Sequence, residues 1–361
     1  MPKFNRFMSL NTKSLNCRSL FALVIFASLI ASCSRDLEYK KRRTTPETTE
    51  PALPTTPPST PIGYLSLTKS EAKSIYDQSN VVIENLRFEN INGIALNIKK
   101  SNNIIIRNCF FNKATAEAIN IEVSANISIE NCLFNGVTTG VYAMESQTIK
   151  ISNNQFVNVR KDTSGGRGQF VQFNQVTGAG NTIENNQGEN FFGESNPEDL
   201  ISFFKSSGTV DSPILVRNNM FRGGGPSASG GGIMTGDYGG GFIVVQNNTL
   251  LNPGNHGIAV AGGSNISILE NKIFAKQQSF SNNPLYVWAQ AGLACSDIIV
   301  KGNRANWTNM KGEKNYGWNS GNCDSTSTSF EYPITISLEE MNVPEHLITM
   351  ITAAELLQIR K

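Results

Sequence analysis

The chain has 361 residues, a formal net charge of +2 and a charged fraction of 17%. This balance leaves no basic stripe of the kind that binds DNA or RNA, so nucleic acid is excluded as an expected partner. The surface should instead be rich in Asn, Ser, Thr, Gly and Gln, which suits the neutral hydrogen bonding that carbohydrate recognition requires.

The N-terminus has the pattern of an export signal. Basic residues precede an apolar stretch at residues 20–30, which is short for a membrane span. Ile30-Ala31-Ser32-Cys33 follows and resembles the lipobox of bacterial lipoproteins. The resemblance implies a signal peptide at residues 1–32 and a lipid on Cys33 that anchors the chain in the bacterial cell envelope. Ser34 favours the outer membrane by the rule known for Gram-negative lipoproteins. The alternative is an ordinary secreted protein with a chance cysteine.

Residues 33–63 are predicted to form a tether. This segment is rich in Thr and Pro, a composition that cannot build a core and stays extended. It would hold the folded domain away from the membrane.

The domain that follows is predicted to begin with a short helix. Thr68-Lys69-Ser70-Glu71 fits a capping box, which places a helix at residues 70–78. Such a helix would cover the open end of a stack of repeats, because bare end coils expose sheet edges.

An asparagine recurs through residues 85–303 at steps of 22 to 33 residues. In most repeats an apolar run precedes the asparagine, and a large apolar residue follows it three positions later. A fixed period of this size, with short alternating strands between Gly, Asn and Ser, is typical of a β-solenoid whose stacked coils share one core. The recurring asparagines are Asn85, Asn108, Asn131, Asn153, Asn185, Asn218, Asn247, Asn271 and Asn303. The phenylalanines expected to stack inside are Phe88, Phe111, Phe134, Phe156, Phe221 and Phe274.

The repeat resembles the right-handed parallel β-helix of the pectin-lyase-like superfamily over roughly residues 64–325. The resemblance implies an all-β, single-stranded, right-handed parallel β-helix with short helical caps, assigned here to residues 64–330. Because this fold carries many activities, function has to be argued from the site.

Four insertions lengthen the middle and C-terminal coils, at residues 160–168, 187–198, 222–231 and 275–284. Solenoids display insertions on one face, often the binding face, so these loops are predicted to wall a groove. Surface loops are also merely tolerated at many sites, which is the alternative.

The second strand of each coil supplies a predicted inward column. The column is Ile94, Ile119, Val141, Ile201, Ile233, Ile258 and Tyr286. Lys205 and Asp237 lie four positions after this column, which would make them neighbours on adjacent coils, close enough for an ion pair. Asp199 and His256 lie two positions before it, which would place them two coils and roughly 10 Å apart, with Gly231 between them.

Two chemistries fit these charged residues. For cleavage of an acidic sugar by β-elimination, the resemblance implies Lys or Arg as the base, often together with bound Ca²⁺. Lys205, Arg217 and Arg222 are predicted to supply the base and the neutralising charge. Asp199, Asp237 and Glu198 would hold Ca²⁺.

Hydrolysis is the less favoured chemistry. It needs carboxylates with separated pKa values. Asp199, Asp237 and His256 faintly resemble the polygalacturonase arrangement, and His256-Gly257 is present, but the companion acidic and basic motifs are not evident. A purely structural role is the other alternative, with Lys205–Asp237 a plain ion pair and His256 a turn residue.

Aromatic and amide residues gather toward the last coils. Tyr238, Tyr286, Trp288 and Gln290 are predicted to bind substrate, because aromatic side chains can stack on sugar rings. Core packing, or covering the end of the solenoid, is an alternative of at least equal weight.

The cysteines outside the signal divide into two pairs. Cys109 and Cys132 hold equivalent positions on adjacent coils and are either bridged or a ladder of free thiols. Cys295 and Cys323 are predicted to form a disulfide in an oxidising envelope.

The C-terminal segment, residues 331–361, is predicted to be a helical cap. Residues 338–359 have a helical pattern that is broken near Pro344. The segment is expected either to cover the last coil or to pack along one side.

Two functions follow as hypotheses for a monomeric, envelope-anchored protein whose partners are a glycan and a membrane. The first is an enzyme that acts on a polysaccharide at the charged groove, as a lyase or epimerase rather than a hydrolase. The second is a non-catalytic, carbohydrate-binding or adhesive solenoid.

Overall fold

The computed structural model of the protein describes residues 63–161 and 168–361. The predicted signal peptide, Cys33 and all of the tether except Gly63 therefore lie outside the described residues.

The chain winds so that each coil adds one strand to each of three columns. The first column is β1 (Thr68–Ser70), β4 (Leu86–Glu89), β7 (Phe110–Asn112), β10 (Leu133–Asn135), β13 (Gln155–Val157), β16 (Gln187–Glu189), β19 (Met220–Arg222), β21 (Thr249–Leu251), β24 (Lys272–Ala275) and β27 (Arg304–Thr308). The second column is β2 (Lys73–Tyr76), β5 (Leu96–Lys99), β8 (Glu117–Glu122), β11 (Thr139–Met144), β14 (Val171–Asn174), β17 (Ile201–Ser207), β20 (Ile233–Gln246), β22 (His256–Val260), β25 (Asn283–Val287) and β29 (Trp318–Asn319). The third column is β3 (Ser79–Glu84), β6 (Asn102–Arg107), β9 (Ala125–Glu130), β12 (Gln147–Ser152), β15 (Thr182–Glu184), β18 (Ile214–Arg217), the second half of β20, β23 (Gly263–Leu269), β26 (Cys295–Lys301) and β30 (Ser329–Phe330).

Strands within each column pair in parallel with the coils above and below. The first column, with the antiparallel edge strand β28 (Lys314–Asn315), forms an 11-stranded sheet. The other two columns form one 19-stranded sheet, because β20 runs without a break through both. The predicted parallel β-solenoid is confirmed.

Asparagine turns the corner from the third column to the first. Seven of the predicted positions have left-handed backbone angles, which Asn tolerates better than most residues. They are Asn85, Asn108, Asn131, Asn153, Asn185, Asn218 and Asn247. Asn271 and Asn303 lie one position later, and Glu270 and Gly302 take the left-handed angle in those coils.

The position directly after each left-handed corner residue holds a ladder of buried asparagine side chains in the later coils. Its asparagines are Asn154, Asn186, Asn219, Asn248, Asn271 and Asn303. The Asn154 backbone N–H donates to Asn186 Oδ1 at 3.0 Å, and the same bond repeats along the stack. In earlier coils Cys109 and Cys132 take this position as buried free thiols. The free-thiol alternative is therefore the one present.

A stack of phenylalanines fills the interior behind the first column. Adjacent ring centroids lie 4.7–5.1 Å apart. The stack is Phe88, Phe111, Phe134, Phe156, Phe170 and Phe221. Phe170 joins it because Gly188 leaves the room; a Cβ on Gly188 would lie 2.4 Å from the Phe170 ring. The prediction for Phe274 is wrong, because Ile273 holds the buried place in that coil.

Removing one ring from this stack is expected to be costly. Phe134→Ala should lower the free energy of unfolding by about 3–5 kcal/mol, since it leaves a cavity between two packed rings. Chemical unfolding would measure the loss. Phe192→Ala, at a residue 88% exposed, is the matched control and should change stability by less than about 0.5 kcal/mol. Equal losses in the two variants would contradict this account of the core.

The predicted N-terminal helix is wrong. Residues 64–66 form one 3₁₀ turn, and most of the remaining segment is extended in β1 and β2. The next coil offers these residues a full parallel ladder, with Thr68–Ser70 opposite Leu86–Phe88. Pairing with that coil outweighs the local capping signal.

The C-terminal segment packs along one side of the stack, which was one of the two alternatives. It runs back over the outer face of the first column, where Ile348, Ile351 and Leu356 bury against Phe110 and Leu133. Its only α-helix is α1 (Ala353–Ile359), which begins at a capping box of Thr352 and Glu355. Among the helices of residues 63–161 and 168–361, none has both the length and the apolar composition of a membrane span.

The helix predicted at residues 338–359 is therefore mostly absent. Side chains of the sheet use the backbone groups that a helix would need. Arg222 donates to the Pro344 and Glu345 carbonyls, and Gln155 Oε1 accepts from the Thr349 and Met350 N–H groups.

Candidate functional site

A cleft of about 500 Å³ opens on the outer face of the second column. Six residues predicted as site residues line it, namely Glu198, Asp199, Asp237, Tyr286, Trp288 and Gln290. This cleft is therefore the candidate functional site.

The long insertions meet at this cleft. Each one enters the second column at the same corner. Glu198 ends one insertion, Ser229 lies in the next, and Asn282 and Asn283 lie in the last, all on the cleft wall. Residues 162–167 of the first insertion lie outside the described part of the chain.

Asp199 is the buried acid of the cleft. It is 6% exposed, and its Oδ1 accepts a hydrogen bond of 2.9 Å from the Gly231 backbone N–H. Burial, and secondarily the negative charges of Glu198 and Asp237, raise the pKa of Asp199 to about 8. At neutral pH this carboxyl group is mainly protonated and can donate a proton.

Glu198 lies beside Asp199 and is held at the rim. Ser229 Oγ donates to Glu198 Oε1 at 2.7 Å, and the Lys161 ammonium group forms an ion pair with the same carboxylate. Burial opposes ionisation of Glu198, but these bonds to Lys161 and Ser229 outweigh it and lower the pKa. Glu198 is therefore the ionised neighbour of a protonated acid.

His256 lies against Asp199, closer than the sequence predicted. His256 Nε2 is 3.8 Å from Asp199 Oδ1, because no side chain at Gly231 separates them. A Cβ on Gly231 would lie 2.4 Å from the His256 carbonyl oxygen and 2.8 Å from its ring. Burial lowers the pKa of His256 to about 4, so at neutral pH this contact joins two neutral groups. Both ring nitrogens are buried without a hydrogen bond.

Asp237 approaches the cleft from β20 through a bulged register. Phe204, not Lys205, lies opposite Asp237, because β20 carries extra residues on either side of this pair. A bulge re-aims the side chains beside it. Burial raises the pKa of Asp237. Asp199 and Asp237 are two carboxyl groups in one cleft with unequal burial.

Because of this bulge, Lys205 does not lie opposite Asp237, and the predicted ion pair between them is wrong. Lys205 is exposed and its Nζ lies 5.3 Å from the Phe204 ring centroid and 5.9 Å from that of Tyr238. Tyr238 is 59% exposed and packs on Phe204 outside the cleft lining.

The two predicted arginines also lie elsewhere. Arg217 Nε donates to Glu184 Oε2 at 2.7 Å. Arg222 pairs with Glu189 at 2.8 Å and holds the C-terminal segment. Neither lines the cleft, so the structure does not bring these two arginines together with the acidic residues.

Comparison with known proteins identifies the fold. A family model described as a right handed beta helix region matches residues 68–201. The crystal structure of PfbA, a surface adhesin of Streptococcus pneumoniae, matches at 18% identity over 65% of this chain and 61% of that one, with a TM-score of 0.51. The fold is a right-handed parallel β-helix. The β-helix described here thus spans about three fifths of the adhesin structure.

Two further structures of carbohydrate enzymes also match this β-helix. The catalytic domain of a GH87 α-1,3-glucanase in complex with nigerose has 14% identity over 73% of this chain and 50% of that one, with a TM-score of 0.49. An alginate lyase from Paenibacillus sp. has 12% identity over 63% of this chain and 88% of that one, with a TM-score of 0.46. No curated protein matches the chain in sequence.

In this β-helix the inward column differs from the prediction at both ends. Leu96 replaces Ile94, and Leu285 replaces Tyr286, which frees Tyr286 to face the cleft. Burial, with the charges of Asp199 and Asp237, raises the pKa of Tyr286, so its hydroxyl stays protonated.

The predicted site residues did not include several cleft residues that carry amides or an indole. They are Gln169, Gln172, Asn255, Asn282, Asn283 and Trp318. A signal was available for Gln169, which lies two positions before an inward residue, as Asp199 does. Thr139 and Glu117 share that row on earlier coils. The row is polar and buried throughout this stretch.

The predicted Ca²⁺ site stays a prediction. Within residues 63–161 and 168–361, no three His, Cys, Asp or Glu side chains are grouped as metal ligands. Cys295 and Cys323, at the C-terminal end of the β-helix, are joined in a disulfide as predicted.

Proposed function

We propose that this β-helix hydrolyses a glycan in the acidic cleft. One observation carries the proposal. Glu198, Asp199 and Asp237 converge in a cleft lined by amides and aromatic rings, and the described lining contains no Lys or Arg. Paired carboxyl groups with different environments are what glycosidic bond hydrolysis requires.

In this proposal Asp199 is the general acid. Its buried, protonated carboxyl group donates a proton to the glycosidic oxygen as the bond to the anomeric carbon breaks. Asp237, which is less buried, acts as the carboxylate that activates water or attacks the anomeric carbon. Glu198 stays ionised and favours the protonated form of Asp199 by its charge.

The composition of the cleft favours an uncharged sugar over a uronic acid. A uronate would bring its carboxylate beside acidic side chains in a partly desolvated cleft, which costs free energy without a neutralising cation. The elimination chemistry favoured by the sequence assigned that task to Lys205, Arg217 and Arg222, whose side chains contact other groups. Hydrolysis is therefore proposed in place of the lyase or epimerase chemistry that the sequence favoured.

A product screen tests the proposal. The soluble form, residues 64–361, would be incubated with neutral and acidic polysaccharides, with and without Ca²⁺. New reducing ends and the ultraviolet absorbance of unsaturated uronate would be followed together. Reducing ends from a neutral glycan without the absorbance support hydrolysis. A rise in both signals that depends on Ca²⁺ would instead support a lyase with bound Ca²⁺.

Binding without turnover in this screen would support the other hypothesis, a non-catalytic carbohydrate-binding or adhesive solenoid. In that case the acidic residues would serve recognition alone.

We also propose that Cys33 anchors the protein in the bacterial outer membrane. The lipobox-like Ile30-Ala31-Ser32-Cys33 and the Thr- and Pro-rich segment after it support the proposal. The full chain expressed in a Gram-negative host with labelled palmitate is expected to carry label in the outer membrane fraction. Cys33→Ala should abolish the label and release the chain. Label retained in Cys33→Ala would contradict lipidation at that residue.

A further inference from the structure

An exposed pair of tryptophans flanks the acidic residues at the C-terminal end of the cleft. Trp288 is 40% exposed and Trp318 is 46% exposed, and both line the cleft. Their ring centroids are 5.8 Å apart, with 51° between the ring planes. Two exposed indoles side by side form an apolar patch in a cleft, and grouped aromatic surface of this kind is a common feature of ligand-binding sites.

The pair is held in place rather than loosely attached. Trp318 lies opposite Tyr286 in the strand register. Asn322 clamps the residue after Trp288 with two bonds of 2.9 Å, accepting from the Ala289 N–H and donating to the Ala289 carbonyl.

A covalent link supports the same region. The disulfide between Cys295 and Cys323 closes the loop that carries Trp318. A segment that is already ordered loses little entropy when a ligand binds, so two exposed indoles on a fixed backbone are suited to recognition.

The ligand must match both the rings and their surroundings. Flat aromatic faces favour contact with the C–H face of a sugar ring. The nearby amides of Gln290, Asn282 and Asn283 offer hydrogen bonds to hydroxyl groups, and Asn283 Oδ1 is buried without a partner. The ionised Glu198 and the proposed carboxylate Asp237 in the same cleft disfavour a negatively charged sugar.

We infer that Trp288 and Trp318 form a stacking subsite for an uncharged pyranose ring of a glycan that continues toward Asp199. The inference rests on the proposed function for the continuation of that glycan into the acidic residues. The subsite determines which glycans bind, whereas the acidic residues determine whether they are cleaved.

Equilibrium binding to a chain with Asp199→Asn separates the two roles. Neutral oligosaccharides of increasing length and acidic oligosaccharides would be titrated by calorimetry and by tryptophan fluorescence. The chain has three tryptophans, and the third, Trp307, is buried, so a stacked sugar should alter the emission of the exposed pair. Adding Trp288→Ala or Trp318→Ala is expected to weaken neutral glycan binding by at least about tenfold.

Phe192→Ala is the matched control, since Phe192 is an exposed aromatic residue outside the cleft lining. It should leave affinity unchanged, and the thermal midpoints of the tryptophan variants should stay near that of the parent. Unchanged affinity in both tryptophan variants, no binding of any neutral glycan, or tighter binding of acidic glycans would each overturn the inference. Tryptophan-dependent binding with no turnover by the natural chain would overturn the proposed hydrolysis and leave the subsite in place.

Discussion

Asp199→Asn is expected to lower glycan turnover by about 10²–10⁴-fold, the usual contribution of a general acid. Asn has nearly the same shape and can still accept the hydrogen bond from the Gly231 N–H, so the fold should persist. What the substitution removes is the proton that Asp199 would give to the leaving oxygen. Initial rates of reducing-end formation, with the unfolding midpoint measured alongside, would test this expectation.

Lys205→Ala and Arg217→Ala provide the matched controls. Both remove a charge near the second and third columns, but neither residue lines the cleft. Their turnover should stay near that of the natural chain. Loss of turnover in either control with normal rates for Asp199→Asn would contradict the assignment and return the site to the basic residues.

The pH dependence of turnover should also depend on the protonation of Asp199. Turnover is expected to fall as pH rises through about 8, because Asp199 then loses its proton. It should also fall on the acidic side at a pH above the usual Asp pKa of about 3.9, since burial raises the pKa of Asp237. Asp199→Asn should remove the limb near pH 8 from the residual activity.

The free energy of unfolding should respond to the titration of two buried groups, Asp199 and His256, with opposite signs. Asp199 binds its proton more tightly when folded, so its contribution is lost as pH rises from the unfolded value of about 3.9 toward 8. His256 binds its proton less tightly when folded, so its contribution is lost as pH falls from about 6.5 toward 4.

Gly231→Ala is the second change expected to have a large effect. The added methyl group would lie 2.4 Å from the His256 carbonyl oxygen and 2.7 Å from its backbone nitrogen. Backbone on the neighbouring coil has to move, which should cost about 1–3 kcal/mol of stability. The shift would separate Asp199 from His256, and a misplacement of about 1 Å can cost about 10²-fold in rate.

The control for this change is Gly193→Ala. Its added methyl group meets open space, and the cost should be limited to the left-handed backbone at Gly193, about 1 kcal/mol. Thermal unfolding and turnover of the two variants give the comparison. Natural activity and stability in Gly231→Ala would show that the contact between Asp199 and His256 does not depend on this glycine.

The fold was predictable because its determinants repeat. Asn108 and Asn131 hold the same backbone angle in successive coils, so each coil supports the interpretation of the next. The ends of the stack do not repeat, and local signals failed there. Pairing with the next coil outweighed the capping box at Thr68. Hydrogen bonds from side chains of the sheet outweighed the helical pattern before residue 353.

The site was predictable in part for a related reason. A constant offset brought Asp199 near Gly231 and His256, because the register is regular in that part of the second column. It failed at Lys205 and Asp237, because extra residues in β20 shift the register within a single strand pair. Bulges are set by tertiary packing and leave no period in the sequence.

Isotope incorporation tests the central claim most directly. The soluble form would cleave a neutral glycan in H₂¹⁸O, and the products would be weighed by mass spectrometry. Hydrolysis in the acidic cleft predicts one ¹⁸O atom at each new reducing end, with the yield strongly reduced in Asp199→Asn. Products that lack the label and carry a double bond, or labelled products formed equally well by Asp199→Asn, would contradict it.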